Sequence, residues 1–268
     1  KTSFSKSQWK KLILFAKKQK IFFLSSVFSI DAVDLLYSLG QRVFKIGSGE
    51  FFSKDILDRI IELNGSMIIS TGMSSNREIL NLIKYLKLRK AKFVIMQCTS
   101  AYPCDFSNVN LHMIDYFKKK YKCLVGYSDH TGNIIAPMLA LTKKISFLEC
   151  HVKDKMGLFN PDHSSSISLE ELNFLSEFKN KFYESEKNLK INNKDKVAKV
   201  LYKNRILFSK SLSLKKEKKK SEVIKFSDLT MKKPGNGLKM SEVNKILGKK
   251  LKKDKSNLRL LKLSDFEK

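Results

Sequence analysis

Between residues 8 and 183 the sequence alternates, six times in succession, a short apolar run with a longer amphipathic stretch. The runs are Ile21–Ser26, Val43–Ser48, 67–71, 92–98, 124–128 and 145–151. Runs this short have the length of buried strands, while the intervening stretches carry the period of helices. An initial basic amphipathic helix over 8–20 precedes the first run. Helices are expected after the runs over Asp31–Leu39, 54–64, 76–89, 111–121, 134–143 and 168–183. Apolar strands separated by helices predict an α/β fold with a parallel sheet wrapped by helices.

An open doubly wound sheet and a closed (β/α)8 TIM barrel share this pattern. The choice turns on where the polar residues fall. Each run ends in a polar cluster: Ser25-Ser26, Lys45 to Glu50, Ser70-Thr71, Thr99-Ser100, Ser128-Asp129-His130 and His151. A barrel gathers all its strand ends at one mouth, where catalysis sits. Six chemically equipped strand ends therefore favour the barrel. Eight strands are needed to close it, so the first two are expected to be absent from this chain and the native product to be longer. The resulting sheet would carry exposed edges.

The character changes near residue 185. The catalytic barrel domain is placed at 1–184, a polar linker at 185–200, and a small, mostly β domain at 201–268. The last is read from short apolar runs (Ile206-Leu-Phe, Glu222-Val-Ile), a Lys-rich turn at 215–220 and the turn Lys233-Pro-Gly-Asn-Gly.

The formal charge of +27 raises the question of nucleic acid or membrane. Of the 53 basic residues only six are arginine, the side chain whose planar fork reads bases and phosphates. The lysines lie on every predicted helix instead of one stripe. No nucleic-acid partner is expected; the excess charge is read as a solvated surface whose field attracts anionic substrates. No apolar run reaches the ~18 residues of a membrane span, so no membrane partner is expected either. Cys98, Cys104, Cys123 and Cys150 form no CxxC pair and read as reduced thiols, which places the protein in the cytoplasm.

His130 and His151 end consecutive runs, and consecutive barrel strands are neighbours. Their imidazoles can meet above the mouth and hold Mn²⁺, Fe²⁺, Co²⁺ or Zn²⁺ with positions open for substrate. Glu149 shares the face of His151 and could orient it. In Lys45-Ile-Gly-Ser-Gly-Glu50 the glycines let backbone N–H groups approach an oxyanion. Lys45 adds charge and Ser48 a hydroxyl, which together make a phosphate cradle. Glu50 suits a substrate hydroxyl or proton transfer. In Asn160-Pro-Asp-His-Ser-Ser-Ser, Asp162 can accept from sugar hydroxyls, and Ser164 to Ser166 are expected to cap the helix at 168–183.

In their order along the chain, Lys45-Ile-Gly-Ser-Gly-Glu, Ser70-Thr-Gly-Met, Cys98-Thr-Ser-Ala-Tyr-Pro, Gly126-Tyr-Ser-Asp-His-Thr, Glu149-Cys-His and Pro161-Asp-His-Ser resemble the N-acetylneuraminate (sialic acid) synthase family, which includes legionaminic and pseudaminic acid synthases. Phe226-Ser-Asp-Leu-Thr, Lys232-Lys-Pro-Gly-Asn-Gly and Leu247-Gly-Lys-Lys resemble that family's C-terminal SAF (antifreeze-like) domain. The resemblance implies a transferase that forms a C–C bond between phosphoenolpyruvate and an N-acylated amino sugar, N-acetylmannosamine or a 2,4-diacetamido-trideoxyhexose. The products are a nonulosonic acid and phosphate. It implies that His130 and His151 hold a divalent metal, Mn²⁺ foremost, with Mg²⁺, Co²⁺ or Fe²⁺ as alternatives, and act in catalysis with Glu50. Ser26, Lys45, Ser48 and Ser128 would bind the phosphate and carboxylate, with Ser100 beside them. Glu50, Tyr102 and Asp162 would hold the open-chain sugar. It further implies a domain-swapped homodimer in which an SAF arginine reaches the partner's site; here that position is Lys233. Two other departures are the missing first strands and Ser100 where some relatives have Asn. The alternatives are another phosphoenolpyruvate-aldose condensing enzyme, a truncated inactive homologue that binds sugar or partners, and a basic RNA-binding protein.

Overall fold

The computed structural model describes residues 4–154, 161–187 and 194–267. The chain divides into two compact units, Lys1–Ser185 and Glu186–Lys268.

The first unit follows the alternation. Helix α1 (Lys6–Lys18) is followed by α2 (Ile30–Ser38), then β1 (Val43–Ile46), α3 (Lys54–Glu62), β2 (Ser66–Ser70), α4 (Asn76–Leu88) and β3 (Lys92–Gln97). After these come α5 (His112–Tyr121), β4 (Leu124–Asp129), α6 (Ile135–Thr142), β5 (Leu148–Lys153), β6 (Ser166–Ser168) and α7 (Leu169–Glu186). All six strands pair in parallel, in chain order. The helix starts are written in the sequence: Ser5 with Gln8, and Ser75 with Glu78, form reciprocal capping boxes.

The sheet is a curled half-barrel, and one ion pair demonstrates the curl. Four strand spacings of about 4.8 Å would put β1 roughly 19 Å from β5 in a flat sheet. Yet Lys45 Nζ of β1 lies 3.1 Å from Glu149 Oε2 of β5. The convex face packs on the helices through Phe44, Ile46, Met67, Ile69, Ile95 and Val125, all buried in one apolar cluster. On the concave face Ile68, Val94 and Met96 form a small apolar floor. Gly126 makes room for that floor, since a Cβ there would lie 2.2 Å from Met96 Sδ.

Two expectations are corrected. The run Ile21–Ser26 is not a strand: it touches the sheet through a single bridge, Ser26 to Lys45, and Ile21 and Phe22 stay exposed. Its apolar character marks a surface that calls for cover but supplies no ladder partner beyond that bridge. The sixth strand is instead Ser166–Ser168, so the serines expected to cap the last helix lie partly in the sheet. The cap is Ser168, whose Oγ accepts from Glu171 N–H (3.1 Å) while the Glu171 carboxylate accepts from Ser168 N–H (2.7 Å).

In the second unit, α8 (Lys194–Val200) and α9 (Tyr202–Phe208) precede the antiparallel pair β7 (Ser211–Leu214) and β8 (Leu229–Lys232). Helix α8 falls inside the stretch expected to be a linker, of which 188–193 lie outside the described residues. Ile206-Leu-Phe belongs to α9. Among the described residues, β structure here is that one pair plus isolated bridges, around a core of Leu212, Leu214, Ile224, Leu229, Ile246, Leu251, Leu261 and Phe266.

Candidate active site

The C-terminal ends of β1–β5 supply a polar rim to the concave face. Lys45 is almost wholly buried, and its ammonium donates to Ser70 Oγ at 2.8 Å besides facing Glu149. Ser26 sits opposite Lys45 across the bridge that joins residues 25–27 to β1. Ser48 opens the turn after β1, where its Oγ accepts from Gly72 N–H at 3.1 Å and lies 3.7 Å from Cys98 Sγ. Gly72 is forced by close approach: a Cβ there would lie 2.3 Å from Ser100 Oγ and 3.0 Å from Ser100 N. Ser48, Gly72, Cys98 and Ser100 thus form one tight turn cluster that presents hydroxyls of the kind that bind an oxyanion. Ser70, which the sequence left as a weak motif, joins the rim through Lys45.

The two histidines meet. Their ring centres are 5.3 Å apart, with planes at 59°. An ion about 2.1 Å from each ring nitrogen sits about 3.2 Å from each ring centre, so two rings on one ion have centres roughly 4.5–5.3 Å apart. The observed spacing fits that range. His130 Nδ1 lies 2.7 Å from the Thr99 carbonyl. A carbonyl only accepts, so Nδ1 carries the proton and Nε2 presents its lone pair. Ser128 Oγ is 3.4 Å from that Nε2. Burial lowers the His130 pKa, which favours the neutral form. His151 Nδ1 lies 3.7 Å from Asp162 Oδ2, beyond hydrogen-bond distance. Among the described residues no group of three or more His, Cys, Asp and Glu side chains is placed to hold a metal ion, so an ion here would have only the two imidazoles from that set.

Tyr102 lies against both rings, 4.2 Å from His130 and 5.7 Å from His151, centre to centre. Burial raises its phenol pKa and keeps it a neutral hydroxyl. Asp129 is structural: buried, it accepts from Tyr127 OH (2.8 Å) and from Thr131 N–H (3.1 Å), which shapes the turn that presents His130. Glu50 ends the turn after β1 with its carboxylate accepting from Ser53 Oγ at 2.5 Å. Glu149, expected beside His151, pairs with Lys45 instead. Lys233 belongs to the second unit, where its Nζ lies 5.5 Å from the Phe208 ring centre. Asn160 lies outside the described residues. The four cysteines are free thiols, and burial pushes Cys150 up to about 12.

A parallel half-barrel with an imidazole pair and a buried lysine on one rim narrows the class of protein further than the fold alone. Residues 1–191 match the NeuB family, and the chain belongs to it. It is 36% identical over 243 residues to N,N'-diacetyllegionaminic acid synthase of Campylobacter jejuni, spanning 90% of this chain and 72% of that protein. It is 28% identical to a pseudaminic acid synthase of Campylobacter jejuni, spanning 94% and 72%. Among solved structures it resembles the N-acetylneuraminic acid (sialic acid) synthetase of Leptospira borgpetersenii, with a TM-score of 0.69 and 26% identity over 75% of this chain and 71% of that one. No helix among the described residues is long and apolar enough to cross a membrane.

Proposed function

We propose that the protein condenses phosphoenolpyruvate with an N-acylated amino sugar to form a nonulosonic acid and phosphate. The observation that carries this reading is the convergence, on one rim, of the His130–His151 pair with the anion cradle of Lys45, Ser48, Ser70 and Ser128. Membership of a family whose relatives are named legionaminic, pseudaminic and sialic acid synthases supports it.

His130 through Nε2, together with His151, would hold a divalent ion, Mn²⁺ in this proposal, which when bound supplies Lewis-acid polarisation of the sugar aldehyde. The chain's own side chains position both substrates. Lys45, Ser48, Ser70 and Ser128, with Ser26 and Ser100, take the phosphate and carboxylate of phosphoenolpyruvate. Tyr102 and Asp162 hold the open-chain sugar beside the imidazoles, and Glu50 holds a sugar hydroxyl or moves a proton. C3 of phosphoenolpyruvate then bonds to the aldehyde carbon, whose oxygen takes a proton and becomes a hydroxyl. Water adds to C2 with loss of a proton. The intermediate collapses by breaking the bond from C2 to the phosphate oxygen, leaving a keto acid and phosphate. Fixing two substrates face to face supplies most of the rate. The second unit is proposed to be of SAF type, with Lys233 reaching the N-acyl group across a domain-swapped dimer.

The test is His130→Ala and His151→Ala, assayed by phosphate release with N-acetylmannosamine and with its diacetamido analogue, alongside bound Mn²⁺. Both variants should lose the ion and at least about 10³-fold in rate. Unchanged metal content and rate in both would sink the proposal.

A further inference from the structure

The Lys45–Glu149 pair joins strands that a flat sheet would hold far apart, and the site as proposed makes no use of the carboxylate. Lys45 and Glu149 line a cavity of about 320 Å³ whose other walls include Leu24, Ile68 and Met96. Apolar walls lower the local dielectric and strengthen a charge pair. Glu149 Oε2 is shielded from solvent, and at 3.1 Å its contact with the ammonium has ion-pair distance without hydrogen-bond angles. An ammonium has three N–H groups. The Ser70 hydroxyl takes one, and Glu149 holds the ammonium by charge at 3.1 Å without accepting an N–H, so N–H groups remain for a ligand.

We infer that Glu149 is the positioning residue for Lys45, holding its ammonium from the far side of the curled sheet so that it meets the phosphoenolpyruvate anion in a fixed place. The inference rests on the function proposed above. It also makes a prediction whose sign is not trivial. A carboxylate this close to an anion site repels the anion if charge alone matters, so removing it would tighten binding. If position matters more, removing it weakens binding, because a free four-carbon stem must be ordered when the anion arrives.

The experiment uses the full chain loaded with Mn²⁺, with initial rates of phosphate release at varied phosphoenolpyruvate and saturating amino sugar. Glu149→Ala should raise KM for phosphoenolpyruvate about tenfold, leaving kcat within about threefold and KM for the sugar unchanged. Glu149→Gln, which keeps the shape and an acceptor oxygen, should restore most of that loss and leave KM about threefold above wild type. If the alanine variant does not fold, the glutamine variant decides alone. An unchanged or lowered KM for phosphoenolpyruvate in either folded variant overturns the inference. So does a fall in kcat at unchanged KM, which would make Glu149 part of the chemistry. Calorimetric binding of phosphoenolpyruvate to wild type separates the two levels. A wild-type chain that does not bind it defeats the proposed function and this inference together, whereas binding that is indifferent to Glu149 defeats the inference alone.

Discussion

Along β1 the side chains of Phe44 and Ile46 point into the helix layer and are fully buried there, while Lys45 between them points to the concave face and an ion pair. The contrast repeats on β4, where Val125 and Tyr127 pack outward and Ser128 faces the rim with His130 beyond it. Strand pleating forces this division, since successive residues must face opposite ways. The convex face spends its residues on packing. The concave face carries polar groups that pack poorly and cost stability when buried. Burial alone therefore does not distinguish the two, because Ser128 and His130 are as buried as some core residues and Lys45 nearly so. The kind of partner does: apolar contact on the convex side, and directed polar contacts at the concave rim beyond its apolar floor.

The most severe test of that division pairs one substitution from each face. Phe44→Ala should destabilise the first unit by about 3–5 kcal/mol, the range for deleting a buried aromatic ring. Ser128→Ala removes only a 3.4 Å contact to His130 and should cost no more than about 1 kcal/mol. In synthase assays the order should reverse for substrate binding: Ser128→Ala should raise KM for phosphoenolpyruvate, and Phe44→Ala should leave it unchanged in whatever fraction remains folded. Urea unfolding with parallel kinetics reads both. Similar stability losses in the two variants would break the comparison.

Gly72 is where packing and chemistry coincide, and Gly72→Ala has a smaller expected effect. An added Cβ meets Ser100 Oγ at 2.3 Å, Cys98 Sγ at 2.9 Å and the backbone N of Ser100 at 3.0 Å. A backbone atom among the three prevents relief by one side-chain rotation. The cost should be about 1–3 kcal/mol. Because Gly72 N–H also holds Ser48, KM for phosphoenolpyruvate should rise along with the loss of stability. A variant that loses stability with unchanged KM would separate the turn from the anion cradle.

The sequence made the convex face legible and the concave face only in part. Apolar runs announce buried strands whatever their neighbours, so β1 to β4 fall within a residue or two of expectation. Downstream, β5 begins later than read, although Ser146 N–H already donates to Val125 O upstream of it. Ser166–Ser168 is too short and polar to signal a strand. The histidine pair was readable because consecutive parallel strands are neighbours, which makes proximity local. Lys45 with Glu149 was not readable, because their meeting depends on curvature summed over four strand spacings, whereas Ser70 lies on the strand next to Lys45 and was read only as a weak motif. Ile21–Ser26 misled because hydrophobicity reports a tendency to be covered and not the partner that does the covering.

Charge on the outer helices makes the last and smallest contrast with charge on the rim. Asp58 of α3 accepts hydrogen bonds from Tyr85 OH and, at 3.1 Å, from Arg89. The Tyr85 hydrogen bond, with Arg89 next to it, holds the Asp58 carboxyl below its ordinary 3.8. A carboxylate with a depressed folded-state pKa stabilises fully above its unfolded value, and that stabilisation is lost as pH falls through the folded value. Half-exposed and screened by salt, this pair should contribute no more than about 1 kcal/mol. Asp58→Asn should therefore lower stability by that small amount at pH 7, with the difference shrinking below about pH 4 and in high salt. Chemical denaturation of wild type and variant across that range measures it. A difference that stays constant down to pH 3 would mean that the Asp58 contribution is packing or neutral hydrogen bonding, and the charge on this outer layer would then be as dispensable as its exposure suggests, unlike that of Lys45.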